Sequence, residues 1–300
     1  MSEISVASIR EGLDKLNISK GDRIVMHSSL QRLAKAKELI KLPNCGGDIV
    51  IDAFLEQVGP EGLVCFPVFS KTFLSPSSGP VGDAFDPDTT PSRVGSITNL
   101  ALQRDNSFRS LHPTHSWSAI GKDAGEFVKG HDKTSTFGRD SICGRMYDSD
   151  CKIVWFGTTG TTNTSTHFAE DWLDLPNMTS EDAVVKDGDG FRKVTVYKSP
   201  SGPRNFYKDG CPLDSLLEKW DIQQVEQIHS ATVKVMRHKV FMLHLLKAMI
   251  DNPCLLLKEG RDDAYHNQFY KLNRQHMDQL KAKEGGEEGI LASLNIDPNA

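Results

Sequence analysis

Apolar residues recur at helical spacing near the start of the chain, at Ile4, Ile9, Leu13 and Leu16, which predicts an amphipathic helix over about 3–17. The pattern then changes. After Lys20-Gly21-Asp22, the run Ile24-Val25-Met26 reads as a buried strand that ends in His27-Ser28-Ser29-Leu30. Gly46-Gly47-Asp48 opens a second helix, with Asp48 expected as its cap and Ile51, Phe54, Leu55 and Val58 along it; Gly59-Pro60 stops it. Leu63 to Phe69 reads as a second buried strand. Residues 70–92, rich in Ser, Pro, Gly and Asp, predict a long surface loop. Further strands are expected at Ser116–Ile120, Ile153–Phe156 and Val194–Tyr197. Helices are expected near 94–104, 122–129, 168–174 and 212–220, with a long one near 223–250. Strands alternating with helices predict an α/β layered fold. No internal repeat is visible, and the polar tail after about 258 is expected to be partly helical and then frayed.

Composition narrows the class. The 300 residues are 38% hydrophobic and 25% charged, a balance that supports a core and excludes a disordered chain. A formal net charge of −5 offers no basic field for nucleic acid. No apolar run approaches a membrane span, and Met1-Ser-Glu-Ile-Ser lacks the basic and apolar regions of a secretory leader. The six cysteines, Cys45, Cys65, Cys143, Cys151, Cys211 and Cys254, are scattered with no C-x-x-C pair, which argues against a metal site or a disulfide scaffold. Together these features predict a cytoplasmic enzyme.

Polar groups concentrate at three expected strand ends: His27-Ser28-Ser29, Arg109 to Ser116, and the Gly/Thr/Ser/Asn-rich stretch from Thr158 to Glu170. Ligands of α/β sheets bind beyond the carboxyl ends of strands, where the first and third segments fall. His167 and Glu170 are three apart at a helix start and share a face. A base with an orienting carboxylate, behind a donor-rich loop and a helix N-terminus, suits acyl transfer to an amine, which needs proton removal and oxyanion stabilisation. From spacing alone, other readings stand. Thr166 to Glu170 also reads as a helix cap, His27 as a strand-end histidine held by backbone, Ser28 and Ser29 as caps, and Arg109 to Ser116 as a turn around Pro113.

Taken together, these segments resemble the aminoglycoside 3-N-acetyltransferase family. Gly21-Asp22 leads to Met26-His27-Ser28-Ser29-Leu30; Gly46-Gly47 is followed by Val58-Gly59-Pro60-Glu61-Gly62-Leu63 and Phe66-Pro67-Val68-Phe69. Then come Phe85-Asp86-Pro87 with Thr90-Pro91-Ser92-Arg93-Val94-Gly95, Arg109 to Ser116, and Gly157 with Asn163 to Glu170. The resemblance covers roughly 20–172 closely and the remainder loosely. It implies a three-layer α/β/α domain with a central mixed sheet, a catalytic domain over 1–260 and a tail over 261–300. It also implies acetyl-coenzyme A as donor, direct transfer to an amine-bearing sugar, and a role in antibiotic resistance. His167 would be the general base, oriented by Glu170 or Asp209, with His27 close by. The coenzyme would be held by His27, Ser28, Ser29, Leu30, Arg109, Ser110, His112 and Ser116, and the acceptor by Asp86, Thr166 and Glu170. No metal is implied.

The segment Asn205 to Asp209 stands where the family places a further acid. Lys35 to Cys45 is longer and more basic than the family pattern, and the 70–84 loop also departs from it, so both bear on the acceptor pocket. The resemblance extends to enzymes that acetylate sugar nucleotides and to catalytically inactive homologues. A serine hydrolase would need a G-x-S-x-G elbow, and a P-loop phosphotransferase its lysine; neither is present. The apolar face of the 223–250 helix would serve a homodimer as readily as a core.

Overall fold

The computed structural model describes residues 3–70, 72–75, 79–81, 84–201, 212–257 and 264–297. Helix α1 (Val6–Lys15) precedes strand β1 (Arg23–Ser28), then a short helix α2 (Ala36–Leu39), α3 (Gly47–Val58) and β2 (Leu63–Pro67). The strands β3 (Phe73–Ser75) and β4 (Gly79–Val81) follow, then α4 (Ser96–Leu102), β5 (Phe108–Arg109), β6 (Trp117–Gly121), α5 (Ala124–Val128), α6 (Ile142–Asp148) and β7 (Lys152–Phe156). The second half contains α7 (Thr166–Trp172), β8 (Met178–Asp187), β9 (Gly190–Pro200), α8 (Pro212–Trp220), β10 (Gln224–Ile228), β11 (Ala231–Arg237), α9 (His238–Asp251), α10 (Ala264–Glu284) and α11 (Glu287–Ser293).

Seven strands form one mixed sheet in the order β10-β11-β7-β1-β2-β6-β5. Its centre is parallel, with β1 flanked by β7 and β2. The outer pairs are antiparallel. Side chains alternate between the two faces of a strand, so β1 sends Ile24 and Met26 into one core and Val25 into the other. The first core is closed by α1, α3 and α4, the second by α5, α6, α7 and α9, which gives the expected three layers. Against this body lies a second, antiparallel sheet in the order β4-β3-β8-β9. It was not anticipated beyond Val194–Tyr197, and it places β3 and β4 inside the stretch expected to be loop.

Three further expectations are corrected. Asp48 does not cap α3: Gly46 holds that position at φ 79°, and Asp48 instead accepts from Arg104 at 2.8 Å and Asn44 at 2.6 Å. The long 223–250 helix is a β10–β11 hairpin followed by α9. Its two-residue turn carries His229 at φ 54°, with no Asn-Gly signal to announce it; a hydrogen bond of 2.8 Å from the His229 ring to Ser8 holds it against α1. The face of α9 that seemed available to a dimer is filled by the core, with Phe241, Met242, Leu245 and Leu246 fully buried. Finally, the tail packs. Phe269, Asn273 and Met277 form a buried stripe on α10, and α11 buries Ile290 and Leu291.

Two predictions follow from this packing. Leu291→Ala should destabilise the whole protein by about 3 kcal/mol, the usual range for a buried leucine. An unchanged denaturant midpoint would mean that the tail contributes no stability. The second concerns acid. Burial holds the imidazoles of His27 and His131 at about 4 and that of His238 at about 3, and pushes His112 well down. An unfolded imidazole titrates near ~6.5, so below that pH the unfolded chain binds more protons, and stability present at neutral pH is lost as pH falls toward 4. His238 is fully buried, stacks on Phe168, and has no hydrogen-bond partner at either ring nitrogen among the described residues. His238→Phe should therefore fold at neutral pH and lose less of its thermal midpoint on acidification. Parallel midpoint curves for the two proteins would refute this.

Candidate active site

The parallel strands β1, β2 and β7 end at the same edge of the sheet, and a cavity of about 530 Å³ opens there. Its size is in the range of small-molecule sites. Met26, His27 and Ser28 come from β1; Pro67 and Phe69 from β2 and the residues after it; Thr161, Thr162, Thr164 and His167 from the segment after β7; Glu181 and Ser199 from the second sheet. His115 and Thr98 complete the wall.

The loops from β1 and β7 meet because Gly157, at φ 64°, has no side chain: a Cβ there would lie 2.7 Å from the Ser29 carbonyl oxygen. Beyond Gly157 the chain forms a tight turn. The Asn163 side-chain oxygen accepts from the Ser165 amide and hydroxyl at 3.2 and 2.7 Å, and the Thr166 hydroxyl donates to the Asn163 carbonyl at 2.9 Å. This turn starts α7 and fixes His167 at its second residue.

His167 is 4% exposed, and its Nδ1 lies 2.5 Å from Oε2 of Glu170, which is 1% exposed. The other Glu170 oxygen accepts from the Asn177 side-chain amide at 2.8 Å. The spacing of three residues on one helix face thus delivers the expected pair, and both carboxylate oxygens are held. Phe137 packs between two imidazoles, edge-on to His115 at 5.2 Å and tilted against His167 at 5.1 Å.

His27 faces the same cavity from β1 and is 3% exposed. Burial pushes its imidazole down to about 4, with the Asn163 side chain acting in the other direction. His27 Nε2 and the Asn163 side-chain nitrogen both lie buried without closing a hydrogen bond among the described residues. His27 is therefore neutral at physiological pH. The start of α7 does not supply the oxyanion donors expected of it. The amides of Thr166, His167 and Phe168 donate to the carbonyls of Asn163, Thr164 and Ser165.

The remaining expected residues divide. Ser28 lines the cavity, whereas Leu30 is packed in the core and the Ser29 amide donates to Phe156. Arg109 is a latch. Its guanidinium donates to the carbonyls of Val68, Pro87 and Thr90 and to the Ser116 hydroxyl, and lies over the Phe85 ring. Ser116 in turn donates to the Val68 carbonyl, and Ser110 accepts from the Trp117 amide. These three side chains hold strand ends together and do not line the His167 cavity. His112 accepts from the amides of Thr114 and His115, and it lines a separate cavity of about 220 Å³. Asp86 pairs with Lys186 at 2.9 Å, which lowers its carboxyl to about 2, and it does not line the His167 cavity. Thr166 is buried in its turn. Asp209 lies outside the described residues.

Sequence reasoning missed Glu181, Ser199 and Asn177. Burial raises the Glu181 carboxyl, opposed by the Ser199 hydroxyl, and Oε1 of Glu181 is buried without a partner among the described residues. An acid isolated in the mostly polar Met178–Asp187 stretch gives no signal of its own. Recognising the strand alternation there was the only route to it.

Comparison with known proteins agrees with this architecture. An aminoglycoside N(3)-acetyltransferase III from a Salmonella species is 26% identical over 250 residues, which span 77% of this chain and 81% of the relative. The crystal structure of the aminoglycoside acetyltransferase AAC(3)-IVa apoenzyme superposes with a TM-score of 0.73 at 18% identity, covering 90% of this chain and 98% of that one. An AAC-IIIb binary structure with CoASH gives 0.70 at 18% identity, over 86% and 99%. The family model for aminoglycoside 3-N-acetyltransferase matches residues 25–249. The chain belongs to the aminoglycoside 3-N-acetyltransferase family.

Proposed function

We propose that the protein transfers the acetyl group of acetyl-coenzyme A to an amino group of an aminoglycoside, with His167 as general base. The observation that carries this reading is the buried His167–Glu170 pair at the edge of a cavity of substrate size. With Nδ1 hydrogen-bonded to the carboxylate, the lone pair of the neutral ring is on Nε2, and Glu170 stabilises the imidazolium as it forms. The amine nitrogen attacks the thioester carbonyl carbon. A C–N bond forms, the C–S bond breaks, and the amine proton passes to His167 and then to the departing coenzyme thiolate. No acyl-enzyme is needed, and holding both substrates in one cavity supplies much of the acceleration.

His27 serves as the hydrogen-bond donor to the oxyanion. Its neutral imidazole on the cavity wall is suited to this role because a preorganised donor gains strength in a water-poor site. Ser28 lies beside it on the donor side of the cavity. Glu181 receives the ammonium groups of the acceptor: a part-buried acid on the cavity wall favours a cationic sugar over a neutral one. The reading places the enzyme in the cytoplasm, where its donor is available. Among the described residues no helix is long and apolar enough to cross a membrane.

Thiol release from acetyl-coenzyme A tests the reading against a panel of 2-deoxystreptamine aminoglycosides and amino-sugar nucleotides. Release is expected with an aminoglycoside, and His167→Ala should lower turnover by roughly 100-fold or more. Full activity in that variant would remove His167 as base. Release with sugar nucleotides alone would move the enzyme to glycan synthesis, and an absence of coenzyme binding would indicate an inactive homologue. Glu181→Gln should raise KM for the aminoglycoside roughly tenfold and leave KM for acetyl-coenzyme A unchanged. Equal effects on both constants would rule out acceptor recognition by Glu181.

A further inference from the structure

The Glu170 carboxylate is the start of a buried chain of hydrogen bonds that leaves the cavity. Asn177 donates from Nδ2 to Glu170 Oε1 at 2.8 Å, and its Oδ1 accepts from Asn273 Nδ2 at 2.8 Å. Asn273 Nδ2 also donates to the Pro253 carbonyl at 3.1 Å. Asn177 and Asn273 are both 0% exposed. Asn273 stands on α10, beyond the residues 25–249 that the family model matches.

The direction of the chain is fixed by chemistry at its far end. A backbone carbonyl only accepts, so the group that Asn273 turns toward Pro253 is its amide nitrogen. The same nitrogen faces Asn177, which must therefore present its oxygen. That leaves the Asn177 nitrogen toward Glu170, so Glu170 Oε1 accepts. With Glu170 ionised and His167 neutral, Oε2 accepts as well and the imidazole hydrogen sits on Nδ1. Reversing any amide along the chain would set two acceptors against each other among fully buried groups.

We propose that Asn177 and Asn273 are positioning residues that hold Glu170, and through it His167, in the base-competent tautomer, with helix α10 as their anchor. The proposal rests on His167 being the base. Neither asparagine touches substrate. Each acts through its neighbour, as the outer partners of metal-binding histidines do. Helix α10 is then part of the catalytic apparatus although it lies outside the cavity.

The test reads His167 directly. Protein labelled with ¹⁵N-histidine is compared as wild type, Asn177→Ala, Asn273→Ala, Asn273→Leu and the double alanine variant, with the His167 signals assigned from His167→Gln. Leucine keeps most of the asparagine volume while deleting both donors, which guards against a variant that fails only by loss of packing. The other titratable groups near the ring stay in place throughout: His27, His115 and Glu181 on the cavity walls, Asp171 on the same helix and Lys198 beside Asp171. The wild-type imidazole should show a single neutral tautomer protonated at Nδ1. Both Asn273 variants should show a tautomer mixture and a kcat for aminoglycoside acetylation lowered roughly fivefold, with KM for acetyl-coenzyme A unchanged. Adding Asn273→Ala to Asn177→Ala should cause no further loss, because the two act in series. A wild-type tautomer and kcat in Asn273→Leu would overturn the proposal. The tautomer is read without substrate, so a wild type inactive on every aminoglycoside would refute the assigned activity while the spectra still decide the relay.

Discussion

A carboxylate that is 1% exposed sets the terms for the rest of this molecule. Glu170 can remain ionised in the interior only if both oxygens are held, because an unpaired buried charge costs far more than one hydrogen bond returns. One oxygen is held by His167, three residues earlier on the same helix, and the other by Asn177. The requirement reaches outward from there. Asn177 needs its own partner, that partner sits on α10, and α10 stays in place because Phe269 and Met277 are buried with it. The geometry of the His167–Glu170 pair and the packing of α10 are therefore one problem with one solution.

The parallel centre of the sheet does the complementary work. It brings the ends of β1 and β7 side by side, so that His27 and His167 face one cavity although 140 residues separate them (167 − 27 = 140). Gly157 permits the last approach between the two loops. The two histidines differ in surroundings. His27 has lost water without gaining a charge partner and stays neutral, whereas His167 lies against an anion. Environments that separate two like groups in this way assign them different chemical tasks.

Much of this was legible in the chain. The runs Ile24–Met26, Leu63–Phe69 and Ile153–Phe156 are buried on both faces and read as such, and the i, i+3 spacing of His167 and Glu170 placed them together before any coordinates. Four things were not legible, each for a physical reason. The β10–β11 hairpin turns at His229 and Ser230, where a tertiary contact to Ser8 replaces the glycine that would have marked the turn. In β8, exposed and half-buried polar positions outnumber apolar ones, so its alternation carries little hydrophobic contrast. Arg109, Ser110 and Ser116 look like ligand-binding groups, and a sequence does not reveal that their donors and acceptors are taken by nearby backbone. Asn177 and Asn273 are 96 residues apart, and nothing local distinguishes a buried relay amide from a surface one.

The walls of the cavity come from two separate sheets. The histidines stand at the edge of the large sheet, whose strands also organise both cores, so substitution there threatens the fold as a whole. Glu181 and Ser199 arrive instead on the β8–β9 hairpin of the second sheet. Under the proposed assignment, the reacting groups stand on the large sheet and the acceptor-facing acid on the hairpin, so each can be altered through a different sheet.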